Sequence, residues 1–275
     1  MSARLAAPRL TLAFALALVL ALVSGCATAP DEPAAGPAVS PDPVTASDET
    51  ELQRRARLRL ELASAYFAEG QYATALDEVK QALVSQPDSV PAFNLRGLIH
   101  AALGDATRAT ESFERALALD PRDADSLHNY GYFRCQRGQR AEADALFERA
   151  LALPAYRQPA RTLMVQGICA RQAGDLPRAQ ALLQRAFDLD AGQPIAAMNL
   201  AEVLLRLGQA ERARFYVKRV NDRAELRNAE SLWLQARIEH RLGHMAEVAA
   251  LGQQLRSRHP EARETAAFER GAFDE

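Results

Sequence analysis

Among the side chains of this chain that could carry nucleophilic, redox or metal chemistry are three cysteines and five histidines. Cys26 follows an apolar run, whereas Cys135 and Cys169 lie far down the chain, Cys135 inside "NYGYFRCQRG" (129–138) among two tyrosines, a phenylalanine and two arginines. A cysteine in such a place can be a nucleophile, a metal ligand, half of a crosslink or filler in a core. His240 and His244 are four residues apart, the spacing that puts two imidazoles on one helix face, but Gly243 falls between them and no glutamate follows His240. The zinc-binding spacing on a helix, with its neighbouring general base, is therefore not met. His100 and His128 recur in equivalent segments and read as groove-lining or core side chains. No nucleophile, base and orienting group can be assembled from one local pattern, so the elements that hold these residues decide what they do.

The first of them, Cys26, is explained by what precedes it. Arg4 and Arg9 lead into "LTLAFALALVLALV" (10–23), about 14 apolar residues or roughly 21 Å as a helix, too short for a hydrocarbon core of about 30 Å. A basic start, a short apolar stretch and small residues at its end form a secretory signal peptide, here residues 1–25. The ending "LVSGC" (22–26) matches the bacterial lipobox, in which the cysteine thiol receives a diacylglyceryl group and the new amino terminus an N-acyl chain such as palmitate. Several chains on one residue anchor a protein stably, since each buried methylene contributes about 0.8 kcal/mol. Ala27, rather than aspartate, follows the cysteine, the pattern that sends a lipoprotein to the outer membrane in enterobacterial-type sorting. The expectation is an outer-membrane anchor facing the periplasm. Residues 26–50, rich in proline, alanine and acids with Val39 and Val44 the only larger apolar side chains, read as a tether unable to bury enough surface to fold.

Residues 51–275 carry a period. Gly70, Gly104, Gly138, Gly174, Gly208 and Gly243 each precede a polar residue at spacings of 34, 34, 36, 34 and 35. That period belongs to the tetratricopeptide repeat, two antiparallel helices joined by a tight turn. Small residues recur in register: Ala63, Gly97, Gly131, Gly167, Ala201 and Ala236 seven before the glycine, with Ala75, Ala109, Ala143, Ala179 and Ala213 five after it. Six units follow, 56–89, 90–123, 124–159, 160–193, 194–228 and 229–262, with a two-residue excess at "LPAYRQPA" (153–160). The predicted fold class is all-α, a right-handed solenoid of helix pairs. Gly252, inside a second helix, costs about 1 kcal/mol relative to alanine. An array of this kind offers a groove for a peptide or helix rather than an enzyme's pocket. A net charge of −2 gives no drive toward nucleic acid, and nothing points to a cofactor, a metal or a small-molecule substrate. Trp233 either lines the groove or caps the array.

The register also places the remaining cysteines. Cys135 lies three residues before one turn glycine and Cys169 five before the next, so they sit at nearly the same height on adjacent first helices, offset by roughly 3 Å. In an oxidising compartment they are expected to form a disulfide, the alternative being two buried free thiols.

The stretch 128–175, "HNYGYFRCQRGQRAEADALFERALALPAYRQPARTLMVQGICARQAGD", resembles the central signature of the type IV pilus biogenesis and stability lipoproteins, the PilF/PilW group: Asn-Tyr-Gly, a cysteine, a glycine turn, Pro-x-Tyr, then Gly-x-Cys. "AESLWLQARIEHRLG" (229–243) is similar to that family's last repeat, and the likeness runs from the lipobox through all six units. Arg134, Met164–Val165 and "DAGQP" (190–194) depart from it. The resemblance implies a pilotin, a non-enzymatic lipoprotein that brings the pilus secretin to the outer membrane or supports its oligomerisation there. A scaffold for another envelope machine, such as outer-membrane protein assembly or a peptidoglycan enzyme, is the alternative. In either case the partner-binding groove is expected to include Leu60, Ser64, Phe67, Asn94, Leu98, His128 and Tyr132, with the apolar members as anchors unless "ETELQRRAR" (49–57) folds over them as a cap.

Overall fold

Alanine, leucine, arginine and glutamate, all strong helix formers, fill the segments between the turn glycines, and each segment folds into two helices. The computed structural model describes residues 49–274, among which there are thirteen helices and no strand. Six antiparallel pairs run α1 (Glu51–Ala68) with α2 (Tyr72–Ser85), α3 (Val90–Ala102) with α4 (Ala106–Leu119), α5 (Ala124–Gln136) with α6 (Arg140–Leu151), α7 (Pro159–Gln172) with α8 (Leu176–Leu189), α9 (Pro194–Arg206) with α10 (Ala210–Asn221), and α11 (Ala229–Arg241) with α12 (Met245–Arg258). A seven-residue helix, α13 (Arg263–Glu269), follows.

Local chemistry sets where helices begin and end. Ser89, Asp105, Asp123, Asp175 and Asn228 each accept a hydrogen bond from a backbone N–H of the first turn, and Thr50 with Gln53 forms a reciprocal capping box. At the hairpin turns the chain must reverse within three residues. There the N–H of Asp105 reaches back to the carbonyl of His100 while Gly104 takes φ 78°, a left-handed conformation that costs glycine little. The same conformation recurs at the turn glycine of every pair.

Packing within each pair depends on the small residues. Gly97 and Gly131 face the rings of Phe113 and Phe147, both fully buried, and a β-carbon at either glycine would lie 2.7 Å from a ring carbon. First helices touch their neighbours along the chain, α1 on α3, α3 on α5 and onward to α11, whereas the second helices have no such contacts with one another. The second helices therefore splay outward and the first helices line the inner, concave side. Each interface between units is apolar: Ala75 and Val79 of α2 share a cluster with Ala92 and Ile99 of α3, and Phe113 of α4 shares one with Leu127, Tyr130 and Phe133 of α5.

Two expectations change at the ends. The segment 49–57 does not fold over the first repeat; it forms the cap and opening turns of α1 itself, which runs 18 residues against 13 in α3. Gly252 is not a mere weakness of α12. The ring of Phe268 from α13 lies over it, so close that a β-carbon would fall 2.1 Å from the ring, and Trp233, Phe268 and Phe273 then close the carboxy-terminal end. Trp233 is thus part of a cap.

Candidate partner-binding surface

The concave row separates into open and closed positions. Ser64 and Tyr132 are exposed, and Asn94 is half-buried and accepts a hydrogen bond from Asn129 Nδ2 at 3.1 Å. Leu60, Phe67 and Leu98, expected to stand without internal partners, instead pack half-buried against the cluster of Ala63, Val79 and Ile99. Phe67 also meets the ring of Tyr72 at 5.7 Å. The first two repeats lay these side chains down between α1, α2 and α3, so no bare apolar strip runs along them.

His128 is a further correction: it belongs to the core, not to the groove. Only 2 % of it is accessible, and its Nδ1 hydrogen-bonds with Thr162 Oγ1 at 2.7 Å. Thr162 in turn hydrogen-bonds with the Tyr156 hydroxyl, and Phe147 tilts against the imidazole. The physical reason is the irregular connection after α6, whose extra length lets Tyr156 turn back toward the hydroxyl that closes over His128. Burial, with a smaller contribution from the Arg161 charge, pushes the imidazole down to about 4, so it is neutral at physiological pH.

Cys135 and Cys169 are joined in the structure, Cα atoms 6.0 Å apart, and tie α5 to α7 across the junction of the third and fourth repeats. Beside them Asp144 of α6 accepts from Gln166 Nε2 at 3.0 Å and pairs with Arg178 of α8 at 2.7 Å. This junction is the most crosslinked part of the array, by a covalent bond and by polar contacts together.

The histidine pair near the last turn is divided between two tasks. His240 stacks on Phe273 with ring centroids 4.2 Å apart, within the carboxy-terminal cap. His244 hydrogen-bonds through Nδ1 to the buried Glu239 carboxylate at 2.7 Å, which also accepts from Arg214 Nε at 2.9 Å. Burial works to raise that carboxyl, but the hydrogen bonds from His244 and Arg214 outweigh it and hold it below the ordinary carboxylate range. His100, also buried, is pushed down by the same loss of solvent. Among the described residues there is no group of three metal-ligating side chains, and no helix is long and apolar enough to cross a membrane. Cys26, the expected lipid acceptor, with the signal peptide and nearly all of the tether, lies outside the described residues.

One surface is absent from the sequence reading. Leu58 and Leu62 on α1 are about half accessible, and Ala65 beside them is exposed. The period itself holds the signal that finds them: the counterparts of Leu58 in later repeats, Ala92, Ser126, Thr162, Ala196 and Ser231, are all buried.

The tetratricopeptide-repeat family models match residues 60–124, 112–145 and 170–238. No curated protein matches the chain in sequence. Among solved structures it is similar to PilW, described as a widely conserved type IV pilus biogenesis factor, with 31% identity over 77% of this chain and 97% of that one and a TM-score of 0.70. It also shares its fold with PilF of Pseudomonas aeruginosa, at 23% identity over 81% of this chain and 100% of that one, TM-score 0.69. A tetratricopeptide repeat protein from Parabacteroides merdae matches at 16% identity over 80% of this chain and 84% of its own, TM-score 0.56. With nearly the whole of PilW covered at that identity, and six helix pairs in one register, the chain belongs to the PilF/PilW family of tetratricopeptide-repeat proteins related to type IV pilus biogenesis.

Proposed function

We propose that this chain is a pilotin: a non-catalytic outer-membrane lipoprotein, anchored through acyl chains on Cys26, that binds the pilus secretin and supports its placement and oligomerisation. The observation that carries this reading is the 31% identity to PilW, described as a type IV pilus biogenesis factor, over 97% of that chain. The lipobox supplies the anchor in the sequence, and a six-unit array with an inner row of first helices supplies a protein-binding surface. His128 is engaged in packing, His240 in the carboxy-terminal cap and Cys135 with Cys169 in a crosslink, which supports a scaffold rather than an enzyme.

The test is a pair of measurements on envelopes of the producing cell. Cys26→Ser should leave the repeat array folded, release it from the outer-membrane fraction and reduce detergent-resistant secretin oligomers several-fold. Affinity capture with the lipidated wild-type chain should recover the secretin. Outer-membrane fractionation of Cys26→Ser in a strain lacking the partner would refute the anchor. Capture of an outer-membrane assembly factor or a peptidoglycan enzyme in place of the secretin would refute the pilotin role and favour another envelope scaffold.

A further inference from the structure

The two ends of the array are built differently. At the carboxy-terminal end α13 occupies the side of α12 where another first helix would stack, with Phe268 over Gly252 and Phe273 against Trp233. At the amino-terminal end nothing among the described residues covers the corresponding side of α1. Leu58, Leu62 and Ala65 lie on one stripe of that helix, at spacings of four and three, and Arg55 is one turn before them. Arg55 is exposed and has no acidic partner among the described residues, although Arg54, Arg57 and Arg59 of the same helix each have one.

The array shows what this stripe accommodates. One repeat later the same register holds Ala92, Arg96 and Ile99, and Ala92 and Ile99 are wholly buried under Ala75 and Val79 of the preceding second helix. The arrangement recurs at each later junction, where the second helix of one unit packs on the first helix of the next, α4 on α5, α6 on α7, α8 on α9 and α10 on α11. The stripe on α1 is therefore the first-helix half of an interface whose second-helix half is repeated five times within the same molecule. Its length is sufficient as well, since α1 extends about one turn further than the other first helices.

We propose that this face docks one amphipathic helix of a partner protein, lying where the second helix of a preceding repeat would lie. Its apolar side rests on Leu58, Leu62 and Ala65, and a carboxylate near its end meets Arg55. A second copy of this chain stacked head to tail is a poor occupant, because α12, the last second helix among the described residues, is already covered by α13. The inference rests on the reading of the array as a protein scaffold but not on the partner being a secretin.

The experiment uses the full chain in its own cell, carrying the photocrosslinker p-benzoylphenylalanine at position 62, with a second chain carrying it at position 84 as a control. Val84 is exposed on the outer side of α2, outside the stripe. Irradiation is expected to link position 62, not 84, to a partner peptide whose sequence repeats apolar residues at i, i+3 or i+4, and i+7. Leu58→Glu, or Leu58→Ser should the glutamate lower the yield of folded protein, is expected to reduce that crosslink at least tenfold while the thermal midpoint stays within a few degrees. A crosslinked helix from some protein other than a secretin would keep this inference and sink the pilotin role. A crosslink to this same chain, to a segment without the helical period, or one that survives Leu58→Glu would overturn the inference, as would no crosslink at all.

Discussion

Acidification should weaken the third repeat through one side chain. His128 is neutral and buried in the folded chain, with its imidazole pushed down to about 4, whereas an exposed histidine titrates near 6.5. Above about pH 6.5 neither state binds the proton and the histidine is without effect on stability. Between about 6.5 and 4 the unfolded chain binds a proton that the folded chain does not, so stability falls as pH falls. At pH 5 the loss is about 1.5 × 1.36, or roughly 2 kcal/mol, and below about pH 4 it levels off near 3 kcal/mol. The buried His100, lowered in the same direction, adds a loss of the same sign. Its contribution is separated by comparing wild type with His128→Gln, whose amide can still bond with Thr162 but does not titrate. Urea unfolding at pH 7.5 and pH 5 is the assay. Wild type should lose about 2 kcal/mol more than His128→Gln over that interval, about 4–8 °C in thermal midpoint for a domain of this size. Equal losses in the two proteins would refute the assignment of His128 to a dry core.

Three further perturbations examine the packing. Gly131→Ala places a β-carbon 2.7 Å from the buried ring of Phe147, and the strain should outweigh the better helix propensity and lower stability by about 1–3 kcal/mol. Denaturant titration should show Gly131→Ala regaining part of that loss when Phe147→Leu makes room. Gly252→Ala should lift Phe268 and open the cap, read as a red shift and greater quenching of the chain's single tryptophan, Trp233, with the first five repeats still folded by circular dichroism. Cys135→Ser should lower stability by about 3–4 kcal/mol, the chain-entropy cost of freeing a loop closed over a sequence separation of 34, and reductant should then have no further effect.

What the sequence made legible is what recurs. Six glycines at a period near 34 declare the turns, because only a residue tolerant of φ near 75° closes each hairpin. Small residues at fixed offsets declare the helix crossings, and the turn glycines place Cys135 and Cys169 within two residues of the same height on adjacent first helices. Single events were not legible. Phe268 and Phe273 lie beyond the last repeat, so nothing periodic announces that they cover α12 or that Gly252 is kept small for a ring. The burial of His128 depends on Tyr156, which sits in the connection that carries the two-residue excess. The period puts Leu60, Phe67 and Leu98 on first helices, but whether a residue there is open or packed depends on how closely neighbouring helices approach.

This last point bears on how the array could hold a partner. Leu58 and Leu62 are each about half accessible, so covering both contributes roughly 2 kcal/mol, about one Leu's worth of burial. Association itself costs at least 4 kcal/mol in lost rigid-body freedom. Two leucines at the end of the solenoid therefore cannot retain a helix by themselves. The stripe is useful only as one end of a longer contact, and the continuous route from it runs onto the inner row, past the exposed Ser64 toward Asn94 and Tyr132. A partner engaged in this way would lose affinity both when Leu58 is made acidic and when Tyr132 is truncated, and the double variant should be worse than either. If Tyr132→Ala leaves binding unchanged while Leu58→Glu abolishes it, the contact does not follow the inner row and must leave α1 over its outer side.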